Sequence, residues 1–283
     1  MLKKWIPGAL HRPQPAKVPS TIGKPEEPVA AVKVPIESSS TQSQGVPWTE
    51  DDIRKGMDEF MKVFAQRPIA NTDGGLSSVG MFALWTMLRA IRPTLVLECG
   101  VFKGQTTWLI EKAVPSIPVL SLDIDPGGRE YTSPTAEYQD IGFMEFEAEP
   151  EKVFSGAVAF FDDHGDVFHR VEKCRHLGIK YIIFDDNYPE GGGNRHRSLS
   201  VILAENTGPR KRPSLENATL REWMEWSVIF PPIFDWIQPI TQERSAIELP
   251  SLFGEFDLKK QAKYQALYEG MEGYRWPTCI RLK

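Results

Sequence analysis

Apolar positions along the chain follow two periodicities. Ile53, Met57, Phe60, Met61 and Phe64 recur at three- and four-residue steps, the spacing of one helical face. Thr49 with Asp52 three residues on has the form of a capped start, and Pro68 closes the segment. A second helix is predicted over 77–91, with Met81, Leu84, Trp85 and Leu88 on one side and Pro93 behind it. The pattern then changes. Runs 94–99, 118–123, 157–161 and 180–184 are apolar throughout, and they alternate with helical stretches at 106–114 and 167–177. Strands without a polar face suit a parallel sheet covered on both sides. Strand–helix repetition at this spacing predicts an α/β fold: a Rossmann-like, doubly wound, mostly parallel sheet with helices on both faces. A short third strand is expected near Tyr138-Gln139, a helix over 256–271 and a final strand over 274–282.

Two regions stand outside this rhythm. Residues 1–47 hold eight of the 23 prolines and a Ser/Thr/Gln tract at 38–44, and six basic residues face three acidic ones there. Such a segment buries too little apolar surface to offset its ordering entropy, and it reads as a disordered Pro/Ser-rich tail ahead of one domain over 48–283. The region 189–255 opens with Gly191-Gly192-Gly193, passes a basic turn at Arg210-Lys211-Arg212 and crowds Trp223, Trp226 and Trp236 together. It reads as a helical insertion whose tryptophans pack a core or lid, or else form an oligomer interface or substrate wall.

Composition narrows the function. A net charge of −5 argues against nucleic acid as the main ligand. The three cysteines, Cys99, Cys174 and Cys279, show no CxxC spacing, which excludes a disulfide framework or zinc finger and suggests a reducing, cytoplasmic setting. No run of about 18 apolar residues could span a membrane. A small-molecule ligand is the expected partner, with room left for a homo-oligomer.

The most informative stretch is Leu95-Val96-Leu97-Glu98-Cys99-Gly100-Val101-Phe102-Lys103-Gly104-Gln105-Thr106-Thr107. An apolar strand runs into two glycines four apart and then a helix. Gly100 permits a sharp turn, Gly104 a close backbone approach to a ligand, and Thr106 or Thr107 a helix cap. Doubly wound sheets bind ligands in such a crevice. The spacing is neither GxGxxG nor a phosphate-binding loop, and no lysine follows Gly104. Glu98 would repel a pyrophosphate but suits a cationic or amino ligand such as S-adenosylmethionine. The alternative is a carboxylate capping a turn and glycines making a tight corner. Asp123 ends the second strand 23 residues after Gly100, near the offset at which an acid binds a ribose, and Asp125 reads as a loop acid. Asp140 either reaches the adenine side or is an exposed turn acid.

The runs ending in Asp162-Asp163-His164 and Asp185-Asp186-Asn187 place carboxylates on the same edge of a parallel sheet. A hard divalent cation held by Asp162, Asp186 and Asn187 would relieve their repulsion. Otherwise these acids cap the helices that follow. His164 could serve as metal ligand or general base, or merely hydrogen-bond in a turn.

The block Glu98-x-Gly100-Val101-Phe102-x-Gly104-x-Thr106 resembles the first motif of class I S-adenosylmethionine-dependent methyltransferases. More narrowly it is similar to the metal-dependent O-methyltransferases of the catechol and caffeoyl-coenzyme A type. Leu122-Asp123-Ile124-Asp125 with Arg129-Glu130-Tyr131 looks like their second motif. Cephalosporin-hydroxylase-like proteins and macrolide O-methyltransferases share the layout, and Asp162-Asp163-His164 fits that branch as well. The resemblance covers roughly 94–188. It implies that Glu98, Gly100, Thr106 and Asp123 contact the cofactor and that Asp162, Asp186 and Asn187 contact a Mg²⁺-like ion; in the methyl-transfer reading His164 or Asp163 takes the proton of an acceptor hydroxyl. Departures are His164 where the family carries an acid, and His176-Leu177-Gly178-Ile179-Lys180 in place of a glycine-rich turn. The leading expectation is O-methylation of a small molecule. A non-catalytic binding module of the same fold is a second class. A glycosyltransferase using Asp123-Ile124-Asp125 as a D-x-D is a third.

Overall fold

The computed structural model describes residues 45–70, 74–149, 154–185, 187–188, 198–204, 214–235, 249–271 and 275–283. The chain divides into Met1–Val32 and Lys33–Lys283, and every described residue belongs to the second unit. Nearly all of the proline-rich 1–47 segment therefore lies outside the described residues. Of it, Gly45 approaches the Trp226 ring, and the adjoining Trp48 meets that ring edge-on at 6.2 Å.

Helix α1 (Glu50–Phe64) begins at Thr49, whose hydroxyl accepts from the Asp52 N–H while the Asp52 carboxylate accepts from the Thr49 N–H. Its buried residues Ile53, Met57, Phe60 and Phe64 are the periodic ones. Helix α2 (Ser78–Ile91) is capped by Ser77 and buried through Leu88. Then follow β1 (Leu95–Cys99), α3 (Gln105–Ala113), β2 (Val119–Leu122), β3 (Glu137–Gln139), β4 (Ala157–Phe161), α4 (Val167–His176) and β5 (Tyr181–Phe184). The chain continues through α5 (Leu199–Ala204), α6 (Leu215–Trp223), β6 (Met224–Ile229), α7 (Leu258–Gln261), α8 (Gln265–Glu269) and β7 (Thr278–Leu282).

One seven-stranded sheet runs in the order β3-β2-β1-β4-β5-β7-β6. The first five strands are mutually parallel, and β7 is antiparallel to both its neighbours. Successive strand residues feed opposite layers. Val96, Val158, Phe160 and Ile183 pack with α1, α2 and α3, whereas Leu97, Ala159, Phe161 and Ile182 pack with α4, α5 and α6. This is the doubly wound arrangement expected. The chain leaves β1 toward β2 on one side and returns to β4 on the other. The carboxyl ends of β1 and β4 therefore flank the switch point, where such sheets hold ligands.

Three predicted features differ. The insertion at 189–255 is not wholly helical: β6 lies within it and joins the sheet, with buried Met224 and Trp226 alternating with exposed Glu225 and Ser227. Alternation of this kind is a strand signal, and the density of tryptophans obscured it. The helix predicted over 256–271 is two short helices with a 3₁₀ turn, Ala262–Tyr264, between them. Tertiary anchors set that break. The Tyr264 hydroxyl and Lys263 ammonium both donate to Asp58 of α1, and the Ser78 hydroxyl donates to the Leu267 carbonyl. The last strand starts at Thr278 rather than 274, because Trp276 takes a left-handed backbone angle (φ 53°) that no strand accommodates. Trp236, His196 and the basic turn 210–212 lie outside the described residues. No described helix is long and apolar enough to cross a membrane.

Candidate functional site

The turn after β1 is built from constrained backbone. Gly100 has φ +94°, and a Cβ there would come within 2.8 Å of the Asp162 carbonyl. Gly104 has φ +89°, and its Cβ would collide with the carbonyl oxygen of Tyr131. The space Gly104 opens is thus taken by the chain itself rather than left to a ligand, which corrects the sequence expectation. The N–H groups of Glu130 and Tyr131 donate to the Lys103 carbonyl and hold that contact. Gly104 is also the cap residue of α3, with no side-chain cap. Neither Thr106 nor Thr107 caps the helix: Thr106 is buried in the first turn, and the Thr107 hydroxyl donates to Glu98 at 2.7 Å.

Glu98 lies entirely inside the protein. Its Oε2 accepts from Thr107 and from Ser121 at 2.6 Å, stitching β1 to α3 and β2. Its Oε1 is buried without a partner. Burial raises its pKa to about 7, the two hydroxyl donors opposing that rise. A wholly buried carboxyl touches no ligand at the surface of the crevice. Glu98 instead braces the Gly100–Thr107 turn from behind.

Asp123 sits at the carboxyl end of β2, half-buried, and gathers backbone donors. Its Oδ2 accepts from the N–H groups of Val101 (2.7 Å) and Phe102 (2.8 Å), and its Oδ1 from Asp125. Three of about four acceptor positions are filled, so the carboxylate clamps the glycine turn and keeps little capacity for a ribose. Asp125 in turn accepts from Gly127, so the D-x-D pair is accounted for by local turns. Asp140 is exposed immediately after β3, at the strand end next to Asp123, whose N–H donates to the Gln139 carbonyl.

After β4, Asp162 is half-buried and Asp163 is ion-paired with Arg170, whose guanidinium lies over the Phe161 ring. Burial raises the Asp163 pKa while Arg170 pulls it down. His164 is exposed, with a left-handed φ of 53°. After β5, Asp186 lies outside the described residues. Asn187 is buried and engaged at both ends: its amide NH₂ donates to Thr278 Oγ1 at 2.8 Å and its oxygen accepts from the Ser200 N–H at 2.6 Å. The amide oxygen expected to ligate a metal therefore fixes the start of α5. Among the described residues no group of three or more His, Cys, Asp or Glu is arranged to hold a metal ion. Of the three expected donors, Asn187 thus has its oxygen engaged by the chain and Asp186 lies outside the described residues.

A pocket opens at the β1/β4 switch point. It is lined by Gly75, Leu76, Val101, Phe102, Lys103, Gln105, Thr106 and Asp162, and encloses about 280 Å³ counting its solvent-open mouth. Of the sequence-predicted residues, Thr106 and Asp162 line it, Gly100 and Asp123 shape its wall from behind, and Glu98 and Asn187 are withdrawn into the core. Sequence reading missed Gln105, whose oxygen accepts from the Ile69 N–H while its buried Nε2 has no partner. Its signal was available: an amide residue directly after Gly104, heading a helix whose first two turns are otherwise apolar or hydroxylated. An orphaned buried donor beside a pocket marks a place for an acceptor atom.

No family model matches the sequence, nor does any curated protein. Solved structures similar to the chain include CmcI-N160 in its apo form (14% identity, TM-score 0.35, covering 53% of this chain and 62% of that one). They also include a protein from Klebsiella pneumoniae described as a putative O-methyltransferase (12%, TM-score 0.40, 82% and 90%). A third is the O-methyltransferase TomG from Streptomyces achromogenes, in complex with SAM (11%, TM-score 0.39, 83% and 91%). The chain thus spans under two thirds of CmcI-N160. Likeness at this level decides neither cofactor nor acceptor.

Proposed function

We propose that the chain is a methyltransferase that binds S-adenosylmethionine at the β1/β4 switch point and methylates a hydroxyl of a small molecule. The observation that supports this most is the pocket at the start of α3, lined by Asp162, Thr106 and Gln105. These groups fit the cofactor's amino-acid end. The helix start suits a carboxylate, and Asp162 suits the sulfonium.

When bound, the cofactor supplies an electrophilic methyl on sulfur; the S–CH₃ bond breaks as an O–CH₃ bond forms. The chain's own task is to position. Asp162 balances positive charge at the reacting end. The Gly100–Gly104 turn, clamped by Asp123 and braced by Glu98, fixes the pocket wall. His164, exposed two residues beyond Asp162, is the group we assign to take the acceptor proton. Asp163 is committed to Arg170 and holds the loop that presents His164.

Calorimetric titration tests the assignment. Asp162→Asn is expected to weaken S-adenosylmethionine about tenfold while leaving S-adenosylhomocysteine, whose sulfur is a neutral thioether, within about twofold, because only the former carries the sulfonium charge. Equal losses for both ligands would contradict the role of Asp162, and failure of the wild type to bind either would contradict the cofactor. That last outcome would favour a second reading, a binding module of methyltransferase-like fold. Its support is Asp123, whose carboxylate already satisfies three backbone donors.

A further inference from the structure

The acids gathered at the carboxyl ends of β4 and β5 call for a positive charge, and the sequence offered a divalent ion for that part. The described residues supply a different cation. Arg275 comes from the segment leading into β7, which runs antiparallel to β5 and so begins at the edge where the parallel strands end, Thr278 standing opposite Phe184. Its guanidinium lies 3.3 Å from Asp185 Oδ2, and Asp185 is 1% exposed. Asp162 and Tyr188 also act on it electrostatically. The main chain holds it in place, since the Asn187 N–H donates to the Arg275 carbonyl at 3.0 Å. The next residue, Trp276, is buried at φ 53°, an unfavourable angle for a residue with a bulky side chain. Phe102 after β1 and His164 after β4 share this left-handed backbone, so three such residues mark this one edge of the sheet. Strain of that kind persists where the surrounding structure over-determines it, often at working sites.

We propose that Arg275 is the resident cation of the β4/β5 edge and that this edge takes up no divalent metal ion. A guanidinium supplies a fixed charge and directional donors without requiring the carboxylates to converge on a single point, as a small hard ion would. The role fits what else is seen there. Asn187 pins α5 because its oxygen is not needed as a ligand, and Asp162 lines the pocket wall. The proposal stands apart from the adenosyl reading, since neither measurement below involves that ligand.

Two measurements on the full-length protein test it. In the first, Mn²⁺ is titrated into the wild type and free ion is followed by electron paramagnetic resonance. No stoichiometric binding is expected at dissociation constants below about 1 mM. A single site tighter than that, lost in Asp162→Asn, would overturn the proposal. In the second, melting is followed in Arg275→Gln and in Arg275→Gln with Asp185→Asn. The single variant is expected to melt lower, and the double variant to recover at least half of the loss, because it removes the carboxylate that the first change strands. A double variant melting at or below the single one would show that the two charges do not depend on each other. Should the single variant fail to fold, the Mn²⁺ titration of the wild type still decides.

Discussion

Glu98 is a carboxyl group held where water does not reach, with one oxygen satisfied by two hydroxyls and the other by nothing. Its pKa of about 7 lies above the ordinary 4.5, so the folded protein binds this proton more tightly than the unfolded chain. The stability it contributes is complete below pH about 4.5 and is lost as pH rises through about 7. Glu98→Gln, which keeps shape and removes the titration, should flatten the denaturant stability profile across that window by about 3 kcal/mol. An unchanged profile would show that Glu98 is not the group responsible. Gly104 makes a sharper case. With φ +89° and the Tyr131 carbonyl against its α-carbon, Gly104→Ala should cost roughly 3 kcal/mol and lower the melting temperature accordingly. The sequence pointed to both residues and misjudged what each faces. A glycine that admits a close approach looks the same in sequence whether the visitor is a ligand or the carbonyl of residue 131. A strand-end carboxyl likewise looks the same whether it turns outward or into Ser121 and Thr107.

At the scale of elements, local signals served well where local chemistry decides. The Thr49–Asp52 box is reciprocal, and Thr49→Ala should destabilise the protein by about 1 kcal/mol by equilibrium unfolding, with no effect on ligand affinity. Strands β1, β2, β4 and β5 were legible because burial on both faces leaves them apolar at nearly every position, Glu98 and Ser121 excepted. Strand β6 was not, because Met224 and Trp226 alternate with polar residues inside a stretch whose tryptophans suggested a lid. The stretch 256–271 carries helical periodicity throughout. Asp58, on a helix 200 residues earlier, decides where it breaks by holding Lys263 and Tyr264. Arg275 belongs to the same class. It lies 90 residues from Asp185 in sequence, and only the antiparallel return of β7 makes them neighbours.

The whole molecule reduces to one topological fact with a chemical consequence. The order in which strands join the sheet reverses between the parallel β1 and β4, and the turns leaving those two strands meet in a pocket with a polar wall. Hydrogen exchange read by mass spectrometry, with and without saturating S-adenosylhomocysteine, tests that consequence most directly. Amides of 100–107 and 162–165 should gain protection together, with a smaller gain at 123–125 where Asp123 ties the turn down. Protection confined to other parts of the chain, or none at a ligand concentration of several millimolar, would contradict an adenosyl site at the switch point.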